Sequence, residues 1–200
     1  MSTVEELFGS SRVMAILRNR GPAESVRLAE TAWDLGIDLV EVPIQVPEAL
    51  PSLEAVVAAG RERGRPVGAG TIIDLEQLGE AQRVGVAFTV APGLDTDVVL
   101  ACEQRGLVHL PGVATASEVQ AAVRLGCRWL KAFPADVLGP AWFRGMTKGP
   151  FPGCRFVATG GMDARVAPRY LEAGASLVAV GSALEDPSQL EQLAELVRPA

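Results

Sequence analysis

Short runs rich in β-branched and apolar residues alternate with longer stretches of helical periodicity from one end of the chain to the other, and few folds satisfy that alternation. Residues 12–17, 38–43, 66–71, 87–92, 107–111, 128–134, 154–159 and 176–180 read as strands. Residues 22–35, 47–63, 75–84, 96–104, 116–125, 139–146, 164–173 and 190–197 read as the helices between and after them, with Asp74 placed to cap the third. Strands joined by helical crossovers run parallel and are covered on both faces, which accounts for their nearly continuous apolar character. Eight such pairs predict an α/β fold of the closed (β/α)₈ TIM-barrel type rather than an open doubly wound sheet. Glycine and proline fall between the runs as punctuation, so one domain over residues 1–200 is expected.

In a closed parallel barrel the chemistry sits at the C-terminal ends of the strands. Two ionisable residues stand inside strand runs without falling at a run's start: Lys131 in the sixth and Glu41 in the second. Strand alternation puts Lys131 on the face of Trp129 and Phe133, and Glu41 on that of Leu39 and Pro43, so both can point into the barrel. An ammonium removed from water must be paired or lose its proton. Two uses are therefore open, a structural ion pair across the barrel top, or a nucleophilic amine with a general base. The second needs a neutral lysine, which costs on the order of 4 kcal/mol against its ordinary pKa and is favoured by apolar walls.

The turns after the last two strands, Thr159-Gly160-Gly161 and Gly181-Ser182, fall where such barrels bind phosphate through backbone N–H groups. Gly68-Ala69-Gly70 lacks the third glycine and the downstream acid of a dinucleotide fingerprint. His109, the single histidine, is expected to be a packing residue, and without a neighbouring cysteine it makes no metal site. Cys102, Cys127 and Cys154 show neither disulfide parity nor Cys-x-x-Cys spacing, which fits reduced thiols in a cytoplasmic setting.

A formal charge of -6, with only Arg61-Glu62-Arg63-Gly64-Arg65 as a basic cluster, argues against a nucleic-acid partner; that cluster reads as a solvated helix end. The apolar run 13–17 is too short for a membrane span or a signal core, so no membrane partner is expected.

The ordered motifs Ala15-Ile16-Leu17-Arg18, Val40-Glu41-Val42-Pro43, Gly68-Ala69-Gly70-Thr71, Ala91-Pro92-Gly93, Leu110-Pro111-Gly112-Val113, Leu130-Lys131-Ala132-Phe133-Pro134-Ala135, Lys148-Gly149-Pro150-Phe151-Pro152, Ala158-Thr159-Gly160-Gly161 and Val180-Gly181-Ser182-Ala183 span the chain. On these the sequence resembles the 2-keto-3-deoxy-6-phosphogluconate aldolase family, the KDPG/KHG class I aldolases. The resemblance implies that Lys131 forms a Schiff base and that Glu41 is the general acid/base. It implies a pyruvate pocket of Thr71, Pro92 and Phe133, and a phosphate site of Thr159, Gly160, Gly161, Gly181 and Ser182. It further implies a phosphorylated keto-sugar acid and pyruvate as ligands, no cofactor or metal, and a homotrimer.

The chain departs from some members at Gln45, where they carry a carboxylate-binding arginine four residues after the catalytic glutamate; Arg18 is the candidate replacement. Pro43 and Gly139-Pro140 resemble the phosphogalactonate branch, while Thr159 resembles the gluconate branch. A phosphate-binding barrel epimerase and a non-catalytic oligomeric metabolite-binding barrel are the competing readings, and neither needs a reactive lysine.

Overall fold

The computed structural model describes residues 3–197, so both tips of the expected 1–200 domain lie outside the described residues. Nine parallel strands form one sheet: β1 (Val13–Ile16), β2 (Leu39–Pro43), β3 (Val67–Gly70), β4 (Phe88–Val90), β5 (Val108–Leu110), β6 (Gly112–Val113), β7 (Trp129–Ala132), β8 (Arg155–Thr159) and β9 (Leu177–Val180). Their spatial order is β5-β4-β3-β2-β1-β9-β8-β7-β6.

The outermost strands, β5 and β6, are consecutive in the chain and separated only by Pro111, so the sheet comes round on itself as eight staves. Pro111 is the reason the fifth run is split. It has no N–H to donate to a ladder, yet its carbonyl accepts from the Lys131 N–H at 2.8 Å. Below it β5 pairs with β4, and above it β6 pairs with β7. The expected strand at 107–111 is thus the lower half of a stave that continues to Val113 and changes partner at the proline.

The helices are α1 (Val4–Phe8), α2 (Pro22–Asp34), α3 (Leu50–Arg63), α4 (Leu75–Val84), α5 (Thr96–Arg105), α6 (Ala116–Arg124), α7 (Ala135–Thr147), α8 (Ala167–Glu172) and α9 (Pro187–Val197). Side-chain caps start several of them: the Asp74 carboxylate accepts from the Gln77 N–H at 2.8 Å, as the sequence predicts, and Thr115 forms a capping box with Glu118. None of the described helices is long and apolar enough to cross a membrane.

Three elements differ from expectation. Residues 4–8 form a helix because Thr3 and Glu6 make a capping box and Val4, Leu7 and Phe8 share one apolar face. The sixth helix starts earlier, since one turn from Ala135 precedes a break at Gly139 (φ 71°, ψ 163°) before Pro140 opens the second piece. The basic cluster of 61–65 is paired rather than merely solvated: Arg61 donates to the Val84 carbonyl, Arg63 bridges to Asp34 at 2.7 Å, and Arg65 pairs with Asp38.

The strand pleat divides the core in two. Inward residues Met14, Leu39, Phe88, Trp129, Val157 and Leu177 fill the barrel, while outward ones pack under the helices. Helix α1 closes the lower end. Phe8 is fully buried there, with ring centroids 5.1 Å from Phe88 and 5.6 Å from Trp129, and the Trp129 indole N–H donates to Glu5 at 2.9 Å. Burial of such a ring contributes about 2–3 kcal/mol. The lower barrel is thereby packed with aromatics; a cavity of about 380 Å³ lies outside it, lined by Val4, Cys102, His109, Cys127 and Trp129 among others, and the larger one opens at the upper mouth.

Candidate active site

One pleat repeat above Trp129 comes Lys131, and one above Leu39 comes Glu41. They are the two ionisable side chains among the fully buried polar residues described, at 1% and 0% exposure. From β2 to β7 is four staves in either direction round the ring, so the two residues face each other across the barrel. No ion pair joins them, and both Glu41 carboxylate oxygens are buried without a hydrogen-bond partner. The Lys131 Nζ lies over the Phe133 ring, 5.2 Å from its centroid. A buried carboxylate left unbonded is costly, and groups held at such cost mark sites where chemistry requires them. Of the two uses open for the pair, the direct structural ion pair is not formed.

The two glycines of β3 make this arrangement possible. A Cβ at Gly70 would overlap the Glu41 carboxylate, and one at Gly68 would overlap the Phe88 ring. The alternating glycines of Gly68-Ala69-Gly70 therefore serve packing inside the barrel: the lower admits an aromatic ring, and the upper leaves the space that Glu41 occupies.

A cavity of about 510 Å³ opens at the C-terminal ends of β1, β7, β8 and β9. Arg18, Phe133, Thr159, Gly160, Gly161, Gly181 and Ser182 line it, and Ile16 and Ala179 form part of its lining from the barrel core. Lys131 is not among the lining residues; its Nζ lies over the ring of Phe133, which is. The Thr159 side chain follows the inward pleat of Val157, and its hydroxyl is buried without a partner. Gly160 and Gly161 have φ of 102° and 67°, backbone that side-chain-bearing residues rarely adopt. The Gly160 carbonyl accepts from the Asp136 N–H at 3.2 Å, which ties the turn after β8 to the first turn of α7.

Glu41, Gln45, Thr71 and Pro92 do not line this cavity; they belong to β2 and to the loops after β2, β3 and β4, on the other half of the ring. Gln45 donates to the Asn19 side chain at 2.6 Å, joining the loop after β2 to a residue that does line it. Thr71 has a left-handed φ of 62°, strained for a β-branched residue at a cost of about 1–3 kcal/mol and typical of functional turns. Beside Pro92, the Gly93 carbonyl accepts from Gly112, the register neighbour of Lys131.

The sequence reading did not single out Asn19, Arg20, Asp163 and Glu185, all of which line the cavity. Arg20 follows Arg18 by two residues in the loop after the first strand, and that second cation was the available signal. Its guanidinium pairs with Glu185.

His109 points outward from β5, with Nδ1 2.9 Å from the Thr89 hydroxyl. Burial pulls its pKa down to about 4 against a partial upward push from Asp95. Burial raises all three thiols, Cys127 to about 11, which disfavours reactive thiolates. Among the described residues, no group of three or more His, Cys, Asp or Glu side chains is arranged to hold a metal ion.

An eight-stave barrel with a buried lysine opposite a buried carboxylate, beneath a mouth lined by glycine turns, defines a (β/α)₈-barrel enzyme. The chain belongs to the KDPG and KHG aldolase family, whose model matches residues 4–198. It is 32% identical over 190 residues to the 2-dehydro-3-deoxy-phosphogluconate aldolase of Treponema pallidum (strain Nichols), covering 94% of this chain and 89% of that one. It is 31% identical over 173 residues to the 2-dehydro-3-deoxy-6-phosphogalactonate aldolase of Escherichia coli (strain K12), covering 86% and 83%. Among solved structures, the KDPG aldolase of Legionella pneumophila, with pyruvate captured at low pH as a covalent carbinolamine intermediate, superimposes with a TM-score of 0.84. Its identity is 25%, over 98% of this chain and 96% of that one.

Proposed function

We propose that the chain is a class I aldolase that cleaves 2-keto-3-deoxy-6-phosphogluconate to pyruvate and glyceraldehyde 3-phosphate through a Schiff base on Lys131. The observation that carries this reading is the pair of buried, facing and unbridged groups Lys131 and Glu41 in a chain of this family. The amine of Lys131 adds to the C2 ketone and loses water, and the resulting iminium nitrogen accepts the electron pair released when C3–C4 breaks. Glu41 removes the C4 hydroxyl proton and returns one to C3 of the enamine, through water across the barrel. The unbonded oxygens of Glu41 are free for that water, and the pyruvate carbinolamine of the Legionella relative supports the covalent route. Substrate and intermediate supply the electron sink without a cofactor.

Arg18 is assigned to the keto-acid carboxylate. It is exposed at the cavity, whereas Gln45 is held by Asn19. Thr71, Pro92 and Phe133 shape the pyruvate pocket, and the backbone N–H groups of Gly160, Gly161, Gly181 and Ser182 receive the phosphate, with Thr159 at the edge of that site. We further assign a cytoplasmic homotrimer without nucleic-acid or membrane partners. Val46 and Ile73 are exposed on loops that Gln77 bridges, and Leu75 is exposed at the start of α4, an apolar surface for another copy to cover.

A second reading, the phosphogalactonate aldolase, is favoured by Pro43 and Gly139-Pro140 and by the similarity to the E. coli relative. A coupled pyruvate-release assay on the gluconate, galactonate and hydroxyoxoglutarate substrates, run with borohydride trapping of pyruvate on Lys131, decides among them. Absence of both turnover and adduct would sink the aldolase reading.

A further inference from the structure

The cavity is lined by four charged side chains, Arg18 and Arg20 against Asp163 and Glu185, which sum to zero. A phosphate ester alone carries roughly -1.5 to -2 near neutral pH, so a cavity that takes a phosphorylated acid must neutralise its own carboxylates elsewhere. Asp163 is already neutralised: Arg165 bridges it at 2.9 Å, and the backbone N–H groups of Arg165 and Val166 donate to it. Glu185 has only Arg20, and the two side chains keep 35% and 38% exposure, Arg20 first.

Their backbone settings differ in rigidity. The Arg20 carbonyl accepts from the Ser52 hydroxyl at 2.7 Å and the Ser25 hydroxyl at 3.4 Å, so the base of this arginine is anchored, while its guanidinium pairs with one carboxylate, Glu185, and donates a long bond to the Asn19 carbonyl at 3.3 Å. Glu185 ends the short 3₁₀ segment Ser182–Glu185, which begins at the serine of the last glycine turn. Arg20 therefore reaches from the loop after β1 to the element that follows β9, and the pair shares the cavity lining with Gly160, Gly161, Gly181 and Ser182.

We propose that Arg20 is the cationic ligand of the substrate's phosphate group, held in waiting by Glu185, and that the phosphate displaces Glu185 when it binds. A guanidinium matches phosphate oxygens in a fork, and a dianion competes with a single carboxylate for it. Glu185, once released, turns to solvent. Its occupancy of Arg20 sets a threshold: an acceptor without phosphate gains nothing from breaking the pair, so the exchange selects for phosphorylated substrates.

The identity of the phosphate as that of a keto-sugar acid rests on the aldolase reading, but the exchange is testable apart from it. Glycerol 3-phosphate, titrated into the intact protein by calorimetry with glycerol as control, probes the phosphate end alone. Arg20→Gln is expected to weaken its binding by on the order of tenfold, the size of one charge-assisted hydrogen bond. Arg20→Lys should recover part of the loss, and Glu185→Gln should tighten binding several-fold. In Arg20→Gln/Glu185→Gln, removal of the orphaned carboxylate should restore part of the affinity. Wild-type affinity in Arg20→Gln would overturn the role of Arg20, and unchanged or weaker binding in Glu185→Gln would overturn the competition. Borohydride trapping of pyruvate on the same preparations tests the aldolase reading independently, so either can fail while the other stands.

Discussion

Lys131 and Glu41 face each other from strands four staves apart, fully buried and without a bridge between them. A structural ion pair and a catalytic pair make opposite demands on stability. Removing one partner of a buried structural bridge costs about 3–5 kcal/mol. Replacing an unbridged buried lysine by an isosteric apolar chain removes a desolvated amine without breaking a bond. Lys131→Met is therefore expected to lose turnover and pyruvate trapping while its thermal midpoint stays at or above that of wild type. A loss of several kcal/mol in thermal or denaturant unfolding would reinstate the structural pair.

The place of Glu41 depends on an absence of atoms at Gly70. Gly70→Ala puts a methyl group on the Glu41 carboxylate, and Gly68→Ala puts one against the Phe88 ring deeper in the barrel. Both are expected to destabilise by about 1–3 kcal/mol through overpacking. Only Gly70→Ala should also lower kcat, on the order of 10²-fold, because it displaces the carboxylate to which the proposed mechanism gives the proton transfers. Rates normalised to folded protein separate the two, and equal rates would show that Glu41 tolerates displacement.

The barrel was legible in the sequence because its evidence is repeated eight times, so no single boundary decides it. Lys131 and Glu41 were legible for a related reason: a charged residue inside an apolar run contradicts its surroundings. What escaped depended on contacts distant in sequence. The five-residue helix α1, although started by the Thr3–Glu6 capping box, is too short to stand by itself and is held where Phe8 meets Phe88 and Trp129 across the barrel floor. The roles of Gly68 and Gly70 emerge only once Phe88 and Glu41 are beside them, and Arg20 gains meaning from Glu185, 165 residues away.

His109 should give the fold a pH dependence on the acid side. Its folded pKa, about 4, lies below the ordinary value of 6.5, so between those values the unfolded chain binds the extra proton. Its contribution is thus fully present above about pH 6.5 and is lost as pH falls towards 4, by roughly 2–3 kcal/mol, burial outweighing the opposing push from Asp95. His109→Asn keeps a polar group near the Thr89 hydroxyl but does not titrate. Denaturant unfolding between pH 4 and 7 should show a shallower decline for that variant, and parallel curves would mean that other groups govern acid unfolding.

On the proposed function, Thr159 is expected to bear on which sugar acid the site receives. Its hydroxyl is buried without a partner on the inward face of β8, two residues beyond Val157, the register neighbour of Lys131, and just before the glycine pair. A chain held between a Schiff base on Lys131 and a phosphate at those glycines passes this hydroxyl with its middle carbons. A hydroxyl at C4 pointing towards it gains a hydrogen bond, and one pointing away does not. Thr159→Val keeps the shape and removes the donor and acceptor, so the thermal midpoint should not fall, because no protein hydrogen bond is lost. The kcat/KM ratio between the gluconate and galactonate substrates should shift by up to about tenfold, the worth of one neutral hydrogen bond. Coupled pyruvate release on both substrates measures it. An unchanged ratio would move the discrimination to the other half of the ring, where Gln45 and Asn19 are joined.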